Sequence, residues 1–120
     1  MKKVNSISSL TKFSPATTSK ILKRDKHQCL FCKLKHHIEN YNENKAEWLF
    51  HDVEHYIPKS KNGLGIEQNG FEICLHHQRY SNDPRFHAEM LGIVENYLKS
   101  IYKDWKIKDL IYKEEELNGK

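Results

Sequence analysis

Apolar positions are sparse along this chain of 120 residues, and they cluster in a few segments whose spacing is informative. The clearest pattern lies between Asp83 and Trp105. Phe86, Met90, Val94, Tyr97, Leu98, Ile101 and Trp105 recur mostly at steps of three and four, which lines side chains along one face of an α-helix. Asp83-Pro84 predicts the start of that helix. An Asp N-cap accepts a free amide, and proline at the first helical position has no amide to lose. The stripe predicts a face turned to the core. Ser14-Pro15 carries the same start signal for a shorter helix to about Arg24, with Ile21 and Leu22 as its apolar contacts. Residues 48–57, WLFHDVEHYI, are crowded with aromatic and β-branched side chains and predict a strand closed by Pro58. Phe71–Cys74 predicts a second short strand, with a helix starting near Cys74. Between the strands, Asn62-Gly63 predicts a turn because both residues tolerate positive φ, and Gly65 adds a second flexible point. The polar stretch 33–47 predicts a loop or loose hairpin arm. Residues 1–13 lack periodicity and residues 113–120 carry Glu114, Glu115 and Glu116, so both ends read as tails around one domain, 14–112.

Composition narrows the class. Hydrophobic residues make up 38% and charged residues 30%, with a mean hydropathy of −0.82, and no run reaches the roughly 18 apolar residues of a membrane span. Ser6, Ser8 and Ser9 break any apolar core of a signal peptide. The expectation is a cytoplasmic protein without a membrane partner, whose thiols stay reduced and favour metal over disulfide. Charge is uneven. Residues 1–40 hold nine Lys/Arg against Asp25 and Glu39, a net +7, whereas residues 41–120 are at −3. A basic third fits binding to a phosphate backbone, and it equally fits a solvated lysine-rich surface.

Two short spacings carry metal chemistry. Cys29-x-x-Cys32 places two thiolates within reach of one tetrahedral ion, and Cys74-x-x-His77 repeats the spacing 42 positions after Cys32, using all three cysteines. Together they predict a structural Zn²⁺ site. Three unligated thiols, or a redox pair at Cys29 and Cys32, are the alternatives. Between the halves lies HDVEHYIPKS, residues 51–60. Glu54 beside His55 can hold a divalent cation and activate water, provided the strand bends, because neighbours on an ideal strand point to opposite faces. A solvated Glu–His pair is the alternative.

The order of these pieces resembles the HNH endonuclease family, in particular its small phage-type members. The resemblance is carried by RDKHQCLFC (24–32), HDVEHYIPKSKNGLGIEQNG (51–70) and EICLHH (72–77), and it extends to MLGIVENYLKSIYKDWKIKDLIY (90–112). It implies an α+β fold with a small ββα-metal core, a structural zinc site and a long C-terminal helix. It implies a phage-encoded enzyme that hydrolyses DNA phosphodiesters in DNA processing or packaging. In it His55 would be the general base, Glu54 would bind the catalytic Mg²⁺ or Mn²⁺, and Asn69 would order the loop. Cys29, Cys32, Cys74 and His77 match the zinc set. Lys59, Lys61 and Arg79, with the basic third, would grip the backbone.

One position departs from the resemblance. Gln78 stands where the family has a histidine completing the catalytic metal site. An amide oxygen suits a hard ion such as Mg²⁺ better than a softer one. A one-residue contraction would instead make His76 the zinc ligand and His77 the catalytic one. Two other functions stay open: a zinc-stapled DNA-binding module with a degenerate cutting site, and a partner of a packaging motor such as a terminase large subunit. His27, His36, His37, His51 and His87 are expected at the surface or in packing.

Overall fold

The computed structural model describes residues 9–39, 41, 42 and 44–113. The first full helix, α1 (Pro15–Arg24), begins as its sequence predicts: Ser14 Oγ accepts the Thr17 amide at 3.1 Å, and Pro15 occupies the first helical position. Its buried anchor is Ile21. Beyond it, Lys26 and His27 both take positive φ, which swings the chain into a single-turn helix, α2 (Leu30–Lys33). A second single turn, α3 (Ala46–Leu49), corrects the expected strand from residue 48. Trp48 lies in this turn, buried, with its ring stacked on His76 at 3.7 Å, and the Phe50 amide closes the turn on Ala46 at 2.8 Å. Burial of the indole therefore outweighs the strand preference of the segment.

Strand β1 (His51–His55) pairs antiparallel with β2 (Gly70–Cys74), in a register running from His51 opposite Cys74 to His55 opposite Gly70. Every residue of β2 is buried, whereas His51 and Asp52 at the start of β1 are exposed. The connection carries 3-10 turns at Lys59–Lys61 and Glu67–Asn69. Asn62 has φ 67° as expected, but Gly63 is needed for space rather than for φ: a Cβ there would lie 1.7 Å from the Ile57 carbonyl oxygen. Gly65 is pinned, not loose. Its amide donates to the Leu10 carbonyl at 2.7 Å.

Helix α4 (Leu75–Ser81) follows β2 without a loop, and α5 (Pro84–Ile101) follows after Asn82 and Asp83. The Asp83 carboxylate accepts the Arg85 amide at 2.9 Å. Met90, Val94 and Leu98 form the buried stripe of α5. Each contributes about 1.5–3 kcal/mol by leaving water. The helix expected to reach Trp105 stops at Ile101. Asp104 turns the chain at φ 62°, and Trp105 folds back to donate its indole N–H to the Gln68 carbonyl at 2.8 Å. No helix among the described residues is long and apolar enough to cross a membrane.

One buried ionic network ties these parts together. Arg24 bonds Asp25 at 2.7 Å and donates to the carbonyls of Glu67 and Gly70, each at 2.7 Å. Asp25 in turn accepts the Glu72 amide at 2.9 Å and the Tyr97 hydroxyl. One charge of the basic third is thus internal and cannot serve a phosphate. Residues 9–13, expected as part of the N-terminal tail, lie against the domain. Thr11 is buried, and Leu10 and Lys12 touch Gly65 through their carbonyls. Residues 1–8 and 114–120, expected as parts of the two tails, lie outside the described residues.

Candidate metal centre and strand-end cleft

Cys29 caps the start of α2 and Cys32 lies one turn on, where the Lys35 amide closes a tight knuckle on the Cys32 carbonyl at 3.0 Å. Cys74 ends β2 and His77 lies in the first turn of α4. The strand-to-helix junction thus brings its two donors to the knuckle. Cys32 Sγ lies 3.7 Å from Cys74 Sγ. His77 Nδ1 lies 3.6 Å from both Cys29 and Cys32 Sγ and 3.3 Å from Cys74 Sγ. A zinc tetrahedron with bonds of about 2.3 Å to sulfur and 2.0–2.1 Å to nitrogen has edges near 3.8 and 3.5 Å. The four donors therefore already sit close to the corners of one, and this cluster could hold a metal such as zinc.

The surroundings support that geometry. His77 is fully buried and its Nε2–H donates to the His36 carbonyl, which leaves Nδ1 as the ligating nitrogen. Phe31 stacks on the His77 ring at 5.5 Å. Crowded thiols must share protons. Hydrogen bonding to Cys29 and Cys74, then burial, pushes the Cys32 thiol up, while the bonds from Cys29 and Cys32 hold Cys74 down. Burial alone would lower His77, but hydrogen bonds to Cys29 and Cys74 outweigh it and hold the ring at about 10. A dication would replace these shared protons. His76 is elsewhere, stacked on Trp48 and donating to the His37 carbonyl at 3.2 Å. The geometry thus brings His77, and not His76, to the thiols.

At the other end of the strands, Glu54 and His55 both line a cleft of about 270 Å³, together with Ile57, Lys61, Asn82 and His87. His55 is the last residue of β1, so the strand's alternation ends there and both neighbours reach one cavity. His55 Nε2 donates to the Thr11 carbonyl at 2.6 Å and its ring stacks on Phe13 at 4.1 Å. A carbonyl only accepts, so Nε2 carries the proton and Nδ1 keeps its lone pair. Burial lowers the His55 pKa; the Thr11 bond opposes this, and the Lys59 charge adds to it. Burial, followed by the Asp52 charge, raises the Glu54 carboxyl above its ordinary range, against a hydrogen bond from Gln78 Nε2 at 2.6 Å.

Asn69 does not line the cleft but lies fully buried beneath its loop. Its Oδ1 accepts the Ile57 amide at 2.8 Å, and its Nδ2 donates to the carbonyls of Ile57 at 3.1 Å and Leu64 at 2.8 Å. Arg79 is engaged with Glu47 at 2.7 Å. Thr11, Phe13 and His87 were not expected here. The first two carry no local signal, being more than 40 residues from His55. His87 sits one turn into α5, where its Nδ1–H donates to the Ser81 carbonyl at 2.9 Å. No family model matches this chain, and neither a curated protein nor a solved structure matches it.

Proposed function

We propose that this chain is a metal-dependent HNH-type endonuclease that hydrolyses DNA phosphodiester bonds, its ββα-metal core formed by β1, β2 and α4. The observation that carries the reading is the state of His55. The Thr11 carbonyl accepts the Nε2–H hydrogen bond, burial favours the neutral ring, and Nδ1, with no hydrogen-bond partner among the described residues, belongs to a residue lining the same cleft as Glu54. That is the tautomer and charge a general base needs. The sequence resemblance supplies the same assignment independently.

Glu54 would hold the Mg²⁺ or Mn²⁺ ion. Its raised carboxyl has no cationic partner among the ion pairs of the described residues, and the Gln78 amide converges on it. Turning that amide by half a revolution presents its oxygen to the same point. Such an ion supplies positive charge for the phosphorane oxygens and the leaving 3′ oxygen. His55 Nδ1 accepts the proton of the attacking water. Asn69 holds the loop that borders the cleft. Lys61 lines the cleft and Lys59 is close enough to act on His55, so both suit the phosphate backbone, a grip that gives affinity with little sequence choice.

Plasmid relaxation with Mg²⁺, Mn²⁺ or chelator tests this reading. The wild type should nick or cut only with metal, and His55→Ala should lose about 10²–10⁴ in rate. A metal-loaded wild type that cuts no DNA overturns it. Gln78 at the Glu54 carboxylate favours a second reading, a zinc-held DNA-binding module, and that module would retain duplex DNA at low salt without cutting it.

A further inference from the structure

The loop that follows the cysteine knuckle brings a second set of metal-ligating side chains together. His36 and His37 are consecutive on it, and Glu89 projects from α5. One donor atom from each lies within 4.8 Å of the others. His36 Nε2 already meets Glu89 Oε2 at 2.7 Å. The backbone holding the two rings is fixed: the His36 carbonyl accepts from His77, the His37 carbonyl accepts from His76 at 3.2 Å, and His37 adopts φ 50°. The His37 ring is further clamped by stacking on Tyr80 at 4.7 Å and by the edge of Phe86 at 4.9 Å.

Two nitrogens in this fixed arrangement stand out. His36 Nδ1 and His37 Nε2 are buried without a hydrogen-bond partner among the described residues. Buried polar atoms are rarely left so. A single ion pair between His36 and Glu89 leaves both nitrogens unanswered. A cation held by both rings and the carboxylate engages a nitrogen of His37, and Glu89, about half exposed, can swing to complete the polyhedron.

We propose that His36, His37 and Glu89 form a second metal site, distinct from the Cys3His centre, for a borderline divalent transition ion of the Zn²⁺ class. Two imidazoles and one carboxylate suit such an ion and do not suit Mg²⁺ or Ca²⁺. The exposed side of Glu89 leaves a coordination position for water. The ion would fasten the knuckle loop to α5, and the site stands whether or not the chain cuts DNA.

Untagged Glu54→Gln protein, which lacks the carboxylate ligand of the strand-end cleft, carrying one equivalent of Zn²⁺ at its thiolates and titrated with Co²⁺ under equilibrium dialysis and visible spectroscopy, tests the proposal. One further Co²⁺ should bind per chain, with weak d–d bands and no thiolate charge-transfer band. Glu89→Gln keeps a hydrogen-bonding amide for His36, and it should weaken that binding at least about tenfold while zinc content and melting temperature stay unchanged. His37→Asn, which suits the left-handed backbone, should weaken Co²⁺ binding likewise with zinc retained. No Co²⁺ bound up to millimolar concentration, unchanged affinity in Glu89→Gln, or a thiolate band accompanying the bound Co²⁺ would each overturn it.

Discussion

The Cys3His cluster and the strand-end cleft stand at opposite ends of the same two strands, and they are built on opposite terms. Cys74 closes one end opposite His51, and His55 closes the other opposite Gly70. At the first, four donors face one another at tetrahedral spacing, with His77 oriented by a backbone carbonyl. At the second, the groups are half-buried and, among the described residues, Glu54 is met by the Gln78 amide. Adjacent residues of α4 serve both, His77 for the cluster and Gln78 for the cleft. The cluster is closed on itself, whereas the cleft is open and its carboxylate lacks a cationic partner among the ion pairs of the described residues.

Substitutions should separate the two regions cleanly. The largest effect is expected from Cys74→Ser. Structural zinc binding in small domains is worth on the order of 10 kcal/mol, and that energy is folding energy. The variant should lose its metal and its cooperative melting transition, as followed by elemental analysis and circular dichroism. A variant that melts like wild type would make the cluster a set of ordinary buried thiols.

His55→Ala should do the reverse. Its zinc content and melting temperature should match the wild type within a few degrees, while plasmid cleavage falls by about 10²–10⁴. Loss of zinc in this variant would mean that the two ends are not independent.

Asn69→Ala sits between them. It leaves the Ile57 amide and the carbonyls of Ile57 and Leu64 without their partner in a buried place. Unpaired buried groups cost about 1–3 kcal/mol each, so urea unfolding should report a loss of about 3 kcal/mol with zinc retained. A loss below about 0.5 kcal/mol would show that the loop does not depend on this clamp.

The smallest effect concerns pH. His55 titrates below its ordinary 6.5, chiefly through burial, with Lys59 adding to the shift. The ring therefore stays neutral as pH falls past 6.5, and under the proposed function cleavage should decline only as pH drops through the lowered value. The linked stability has the same sign: the unfolded chain takes up this proton first, so stability is lost on the acid side. Lys59→Ala removes a repelling charge and should move the acid limb of the pH–rate profile upward. A limb that stays put, or moves down, would detach Lys59 from the site.

What the sequence determined by itself is what neighbours within a few residues decide. Ser14-Pro15 and Asp83-Pro84 start their helices because a cap and its free amides lie within one turn. Asn62 turns the chain because its own φ permits it. The paired spacings around Cys32 and Cys74 were legible because the CxxC knuckle and the strand-to-helix junction are each local. Closure decided the rest. The segment around Trp48 reads as strand until the indole finds His76, and α5 ends early because Trp105 has a partner at Gln68. His55 acquires its tautomer from Thr11, 44 residues away, and Arg24 is removed from the surface by Gly70, 46 residues away. His36 and Glu89 meet across 53 residues. Contacts at such separations leave no trace in local spacing, because they form only when burial of the apolar stripe of α5 and of β2 has drawn distant segments together.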